Sequence, residues 1–447
     1  MNGIAGQRVE HQTRARGVLL TAVLMAVFVV PLSVSGTAVA LADIANSLGE
    51  SAVGQQWALN GFNITFAAST LAWGSLADRI GRWRSFQFGA TLFIAGSLVS
   101  VLAESYLVLD AARILAGLGA GAVFSVGSAL LSVVYTGEGR ARVFSLLGAM
   151  AGLALAFGPT LCGFVAQALS WRAIFAIQGG LLVLSFAFML MTRGLLRSEP
   201  RSRALFDWPA AFLFFVFTAA LVAALVTGSD AGWVSGPSLG LAVVAIVAFA
   251  ALLWWERRTA HPLLDFALIR HPRFLGVTLV VAVASFTFAS IVTYAPALVQ
   301  AIYGLAPAGS GVFVMFMTIP TLAMPLIAGA LVARSIPARR VLTVSLILMV
   351  AGSLLVAAGV IVSVWLLAPA MVLLGAGFGL HAGLVDNEGL AAAPDEDAGM
   401  AAGWINTMRV GTEAIAVSLF GAIFIPALTG DSPATAFSTI TLASALL

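Results

Sequence analysis

The feature that most constrains this chain is a succession of apolar runs, each about twenty residues long, separated by short segments in which the arginines collect. A helix needs about 20 apolar residues to cross about 30 Å of hydrocarbon. Runs of that kind fall near residues 17–42, 53–73, 85–104, 106–135, 142–168, 171–192, 208–228, 237–255, 274–301, 309–333, 340–360, 364–385, 399–426 and 433–447. Only helices and closed barrels satisfy backbone polar groups in lipid, and barrel strands alternate in polarity instead of running apolar. The expected fold class is therefore an all-α integral membrane protein with 14 spans. The last run has 15 residues, so it is expected to be partly inserted or cut short. With 61% hydrophobic and 9% charged residues, the 447-residue chain lacks the side chains to cover a soluble surface. That excludes a cytosolic enzyme, a secreted disulfide scaffold and a disordered protein.

All 22 basic residues are arginine. If the amino terminus is placed inside, 19 of them fall in the tail and loops of one face: the tail, 74–84, 136–142, 193–203, 257–273 and 334–340. Arg172 alone lies in an outer loop, and Arg113 and Arg409 lie within spans. The excess marks the cytoplasmic side, so the expectation is a multi-pass protein of the inner (plasma) membrane with both termini cytoplasmic. The net charge of +3 then reflects membrane topology and not a nucleic-acid partner. Cys162 is the lone cysteine, and the four histidines show no ligand spacing, so no disulfide and no metal site are expected. An enzyme would need clustered reactive groups at one depth; the sequence offers scattered single residues, and no catalytic residue is assigned.

The chain also repeats itself. Gly74, Arg79 and Arg84 at the end of span 2 recur as Gly329, Arg334 and Arg339 at the end of span 10, all at an offset of 255. Leu118-Gly119-Ala120-Gly121 in span 4 recurs as Leu374-Gly375-Ala376-Gly377 in span 12, at an offset of 256. Two matches in corresponding spans indicate a duplication. The expected domains are a six-helix bundle over 1–193, a cytoplasmic linker with inserted spans 7 and 8 over 194–273, and a second six-helix bundle over 274–447. Parallel repeats of this kind place a substrate cavity at the midplane between the halves.

The segment from Gly74 through Asp78, Arg79, Gly81 and Arg82 to Arg84 carries glycines for close approach, an acid able to accept hydrogen bonds from helix ends, and arginines for one membrane face. With it, the chain resembles the major facilitator superfamily over essentially its whole length, in particular the fourteen-span drug:proton antiporter branch. The resemblance makes Asp78 a gating residue of the loop 2–3 signature; Ala333 in the second copy would leave that latch one-sided. Gly148, Gly152, Gly158, Pro159 and Gly163 in span 5 resemble the exporters' antiporter motif, with Ala154 and Cys162 in place of two glycines. In span 4, Arg113 matches the family's intramembrane arginine. A buried arginine is expensive in a span and needs the interior or a partner. Asp110, three residues earlier on the same face, offers an intrahelical ion pair; alternatively Arg113 modulates a neighbouring carboxylate.

Span 1 departs from the branch: Ser33 stands where the antiporters carry an aspartate. Proton coupling then needs another acid. Glu413, mid-way along span 13 with Arg409 one turn earlier, is the candidate, either as the proton-coupling group or as half of a neutralised pair. Asp386, Glu388 and the Asp395-Glu396-Asp397 run read as solvated loop acids, and the segment from Pro262 to Asp265 with Arg270, His271 and Arg273 as an amphipathic connector. Candidate cavity residues are Trp57, Asn60 and Asn63 in span 2, Ser33, Tyr294 and its span-9 neighbours Ser285, Thr287 and Ser290. The resemblance implies a proton-coupled exporter of hydrophobic drug-like or secondary-metabolite compounds that acts as a single chain in lipid and needs no cofactor beyond the proton gradient. A dedicated metabolite exporter or an uncoupled facilitator is the alternative.

Overall fold

The computed structural model describes residues 2–49, 51–195, 206–259, 263, 266–304, 307–362, 364–428, 437–438 and 441, and over these it is helical with short connections. The helices are α1 (Asn2–Leu48), α2 (Ala52–Ile80), α3 (Arg82–Val101), α4 (Tyr106–Val134), α5 (Gly137–Ala168), α6 (Trp171–Met191), α7 (Trp208–Ala231), α8 (Gly236–Glu256), α9 (Phe266–Arg270), α10 (Pro272–Tyr303), α11 (Pro307–Ala333), α12 (Ala338–Val362), α13 (Val364–His381), α14 (Leu384–Ala392) and α15 (Ala398–Leu428). Their starts follow from local chemistry. The side chains of Ser51, Ser170, Asp207 and Ser235 each accept the backbone N–H three residues on, which satisfies one of the free donors of a first turn. Pro209 and Pro237 sit where a helix has no use for their missing N–H.

Among the described residues, 13 helices reach 18 residues or more, and 10 stretches are long and apolar enough to cross a membrane. The helices that fall short are α2, α3 and α15. α2 carries Asn60 and Asn63, α15 carries Asn406, Arg409 and Glu413, and α3 opens on two arginines. Most of the polarity that lowers the hydropathy of α2 and α15 borders the central cavity, where these two helices pack against each other. The expected run at 433–447 lies largely outside the described residues, as does most of the segment from Pro262 to Asp265.

Helices α1–α6 pack among themselves, and so do α10–α15; α7 and α8 pair with each other and α7 rests on both α2 and α15. The two groups meet chiefly at two crossings, α2 on α15 and α5 on α11. Each crossing turns on a glycine of the repeat. A Cβ on Gly74 would overlap the backbone carbonyl of Gly399, and one on Gly329 would overlap the Ser145 hydroxyl. Small residues let the backbones come this close without a hydrophobic driving force.

The expected single span over 364–385 is broken. α13 ends at His381, Gly383 adopts a positive φ of 74°, and α14 runs on to Ala392. The reason lies across the interface: the Phe144 carbonyl of α5 occupies the space a side chain at 383 would need.

Candidate functional site

A cavity of about 490 Å³ lies between the two groups of helices. The α1–α6 side contributes Val34, Asn60, Asn63, Phe66 and Phe124; the α10–α15 side contributes Phe288, Thr321, Phe378, His381 and Glu413. Each side supplies an aromatic pair. Phe66 and Phe124 meet edge to face at 5.7 Å, and Phe288 stacks on Phe378 at 3.9 Å between ring centres. Val222 and Val226 of α7 complete the wall. Mostly apolar walls with a few convergent polar groups suit bulky hydrophobic ligands.

The polar groups concentrate on the α10–α15 side. Arg409 donates from one nitrogen to both oxygens of Asp386, at 2.9 and 3.0 Å, and from another to Asn406 at 2.5 Å. Asp386 is 5% exposed. Of the two sequence readings of Glu413, the one that pairs it with Arg409 is not the arrangement formed: the break at Gly383 swings α14 so that its first-turn acid, read as solvated, reaches the guanidinium. Glu413 faces the cavity with the buried Ser285 hydroxyl of α10 beside its carboxyl. His381 is buried, stands edge-on to Phe378 at 4.8 Å and also borders the cavity.

At the end of the molecule where the arginine loops gather, Asp78 ties α2 to the start of α15. Both of its oxygens accept backbone N–H groups from the start of α15, Gly399 at 2.9 Å and Met400 at 2.8 Å. Arg82, one turn on, donates to the same carboxylate at 2.7 and 3.1 Å, and its other contact is the Asp395 carbonyl. Both side chains are buried. A carboxylate at a helix N-terminus meets free N–H groups and the positive end of the helix dipole together. Gly81, with φ 103°, makes the sharp turn between α2 and α3 that points Arg82 back at Asp78. Arg79 faces elsewhere, donating to the Ser75 carbonyl and stacking over Phe206 at the foot of α7. On the other crossing, Arg140 of α5 donates to the Asn387 carbonyl of α14 at 3.2 Å.

Arg113 is 1% exposed and does not pair with Asp110. It donates to the Ser33 hydroxyl at 2.8 Å, to the Ser33 carbonyl at 3.3 Å and to the Ala58 carbonyl at 3.2 Å, with its charge over the rings of Phe62 and Phe175. Asp110 faces away, one oxygen buried without a hydrogen bond. Six of the expected cavity residues are not part of the wall, the span-9 neighbours Ser285, Thr287 and Ser290 among them. Ser33 is taken up by Arg113. Tyr294 is engaged elsewhere, its hydroxyl donating to the Val417 carbonyl at 2.8 Å and its ring stacked on Phe420. Trp57 is 44% exposed on the α4 side of α2, beside Gly61. Asn60, Asn63, Glu413 and Arg409 do line the cavity. In α5, a Cβ on Gly152 would stand 2.7 Å from the Thr321 carbonyl and one on Gly158 2.5 Å from the Ser35 hydroxyl, whereas Gly163 has only an ordinary neighbour at 3.6 Å. Pro159 lies inside the helix between them.

Two groups of helices around a shared central cavity, latched together at one end, define a membrane transporter and not an enzyme. Residues 23–417 match the family model of the Major Facilitator Superfamily, and the chain belongs to that family. It is 29% identical over 413 residues to a multidrug resistance protein, Stp, of Mycobacterium tuberculosis, with 92% of this chain and 76% of that protein covered. It is 30% identical over 416 residues to a methylenomycin A resistance protein of Streptomyces coelicolor, covering 91% and 85%. In fold it is similar to the human organic anion transporter MFSD10, with a TM-score of 0.68 at 15% identity over 97% of this chain and 99% of that one. It is also similar to the proton:xylose symporter XylE, with a TM-score of 0.61 at 15% identity over 97% and 95%.

Proposed function

We propose that this chain is a proton-coupled exporter of hydrophobic, drug-like or secondary-metabolite compounds that works by alternating access as a single chain in the plasma membrane. In this reading the arginine-rich end is cytoplasmic, both termini are cytoplasmic, and 14 spans form two six-helix bundles, 1–193 and 274–447, with the 194–273 linker and inserted pair between them. The observation that carries the reading is the position of Glu413: an acid on the wall of an apolar cavity between the bundles, on a helix that also forms the latch crossing. The names of the multidrug and methylenomycin resistance relatives support the substrate class.

The roles divide accordingly. Asp78 and Arg82, with Gly74 and Gly81 permitting the approach, hold the cytoplasmic end shut. Glu413 binds the proton, and Arg409 tunes it. Asn60 and Asn63 supply polar points opposite. Gly152 and Gly158 let α5 close on α11 and α1. No bound cofactor is needed, because one proton crossing about 100 mV yields about 2.3 kcal/mol. A facilitator without coupling is favoured by one observation only, the serine at position 33.

The test is efflux of ethidium and a panel of hydrophobic antibiotics from a hypersensitive host, with and without a protonophore. The reading expects export that the protonophore abolishes and that Glu413→Gln loses at normal expression. Export indifferent to both would leave the facilitator.

A further inference from the structure

The buried acid at position 386 has no place in that scheme, although it makes the most complete side-chain ion pair on the cavity wall. Its helix also touches the first bundle, through α5 and α4. Gly383, which starts α14, is packed against the Phe144 carbonyl; Gly148 sits where a Cβ would stand 2.9 Å from the Ala382 carbonyl; and Arg140 donates to Asn387, the residue after Asp386. All three contacts cross from α5 to the turn at Gly383 and the first residues of α14.

We infer that Asp386 is a positioning residue that reports the state of the latch to Glu413 by holding or releasing Arg409. While the end is closed, Asp386 holds one guanidinium nitrogen of Arg409 between its two oxygens and leaves Glu413, one turn further along α15, to take a proton through the cavity. When the bundles part at that end, α14 loses its α5 contacts and water reaches Asp386. An ion pair that is strong in a dry setting weakens in a wet one. Arg409 then turns to Glu413, which gives up its proton to water on the newly opened side; the arginine keeps its charge throughout, so the step balances as one carboxyl proton lost to solvent.

The other groups facing this exchange are few. α13 brings His381, α10 brings the Ser285 hydroxyl, α15 itself brings Asn406, and α2 brings the amides of Asn60 and Asn63 across the cavity. α4 and α7 present Phe124, Val222 and Val226. Among the described groups, Asp386 and Glu413 are thus the two carboxylates at the cavity within reach of Arg409. The inference rests on Glu413 being the proton carrier.

The experiment reads Glu413 directly and needs no substrate. In the full chain reconstituted in lipid nanodiscs, the protonated-carboxyl infrared band that vanishes in Glu413→Gln is titrated against pH. Asp386→Asn frees Arg409, and an opposite charge close by favours the ionised acid, so the midpoint should fall by about 1–3 pH units. Asp386→Glu, which keeps the charge, should restore it toward the original value and guards against a fold defect in the first variant. An unchanged midpoint in a folded Asp386→Asn protein overturns the inference while leaving Glu413 as carrier. If the original protein shows no titrating band assignable to Glu413, the underlying reading fails, and the exchange fails with it.

Discussion

The hydroxyls of Thr70 on α2 and Thr407 on α15 stand 2.7 Å apart, both buried, and join the two bundles by a hydrogen bond across the central crossing. It lies on the same crossing as the Asp78 latch. The Thr70 hydroxyl also donates to the Ala67 carbonyl of its own helix at 3.0 Å.

Replacing either threonine by valine should therefore shift the closed state toward open by about 1 kcal/mol, and the double replacement by less than the sum of the two. Spin labels placed on the two bundles at the latch end, read by pulsed electron paramagnetic resonance, give the populations that check it. Strict additivity would mean the bond is not made.

Asp78→Asn should open the latch further. It removes the charge from four hydrogen bonds, two of them to backbone N–H groups of α15, and bonds to a charged group are worth about 1.5–3 kcal/mol each. The same distance measurement should show a population shift larger than for Thr70→Val, and efflux should fall with it.

Two glycine substitutions separate packing from mere presence in a motif. Gly74→Ala should abolish efflux at normal membrane expression, because the added methyl overlaps the Gly399 backbone and no side chain can give way. Gly163→Ala should leave efflux and thermal stability nearly unchanged, its new methyl meeting only Val39 at 3.6 Å. Equal effects would remove the α2–α15 crossing from the account.

Ser33→Asp should stabilise the protein. Arg113 is already buried, and its nearest side-chain partner is a neutral hydroxyl at 2.8 Å. A carboxylate there adds a partner to an existing buried charge, which avoids the desolvation cost of burying a new pair from nothing. The melting temperature in detergent should rise by several degrees for about 1–3 kcal/mol gained; a fall would mean the site cannot accept the second charge.

Much of this molecule was legible in its sequence because the physics is local. Apolar run length dictates helices, and the Gly74–Arg84 segment names its own chemistry: acid, glycines and arginines at a helix end. The partners were less visible. That Asp78 meets the amides of Gly399 and Met400 depends on a crossing between helices more than three hundred residues apart. Helical spacing suggested Arg113 with Asp110 and Arg409 with Glu413, and in both cases a group from another helix won: Ser33 in the first, Asp386 in the second. A buried guanidinium takes the partner that tertiary packing delivers with the best geometry, and spacing along one helix cannot weigh that competition. Asp386 itself was hidden because it follows an apolar run directly, where an acid ordinarily meets solvent; the glycine at 383 was the available sign that the helix would turn.

The most direct measurement of the central claim is proton movement in sealed proteoliposomes carrying an internal pH-sensitive dye, with ethidium imposed as the transported solute and no other driving force. The account predicts that an ethidium gradient drives a counter-flow of protons in the original protein, and that Glu413→Gln shows none while still binding ethidium. Proton counter-flow of full size in Glu413→Gln, or ethidium movement with no proton flow in the original protein, would contradict it.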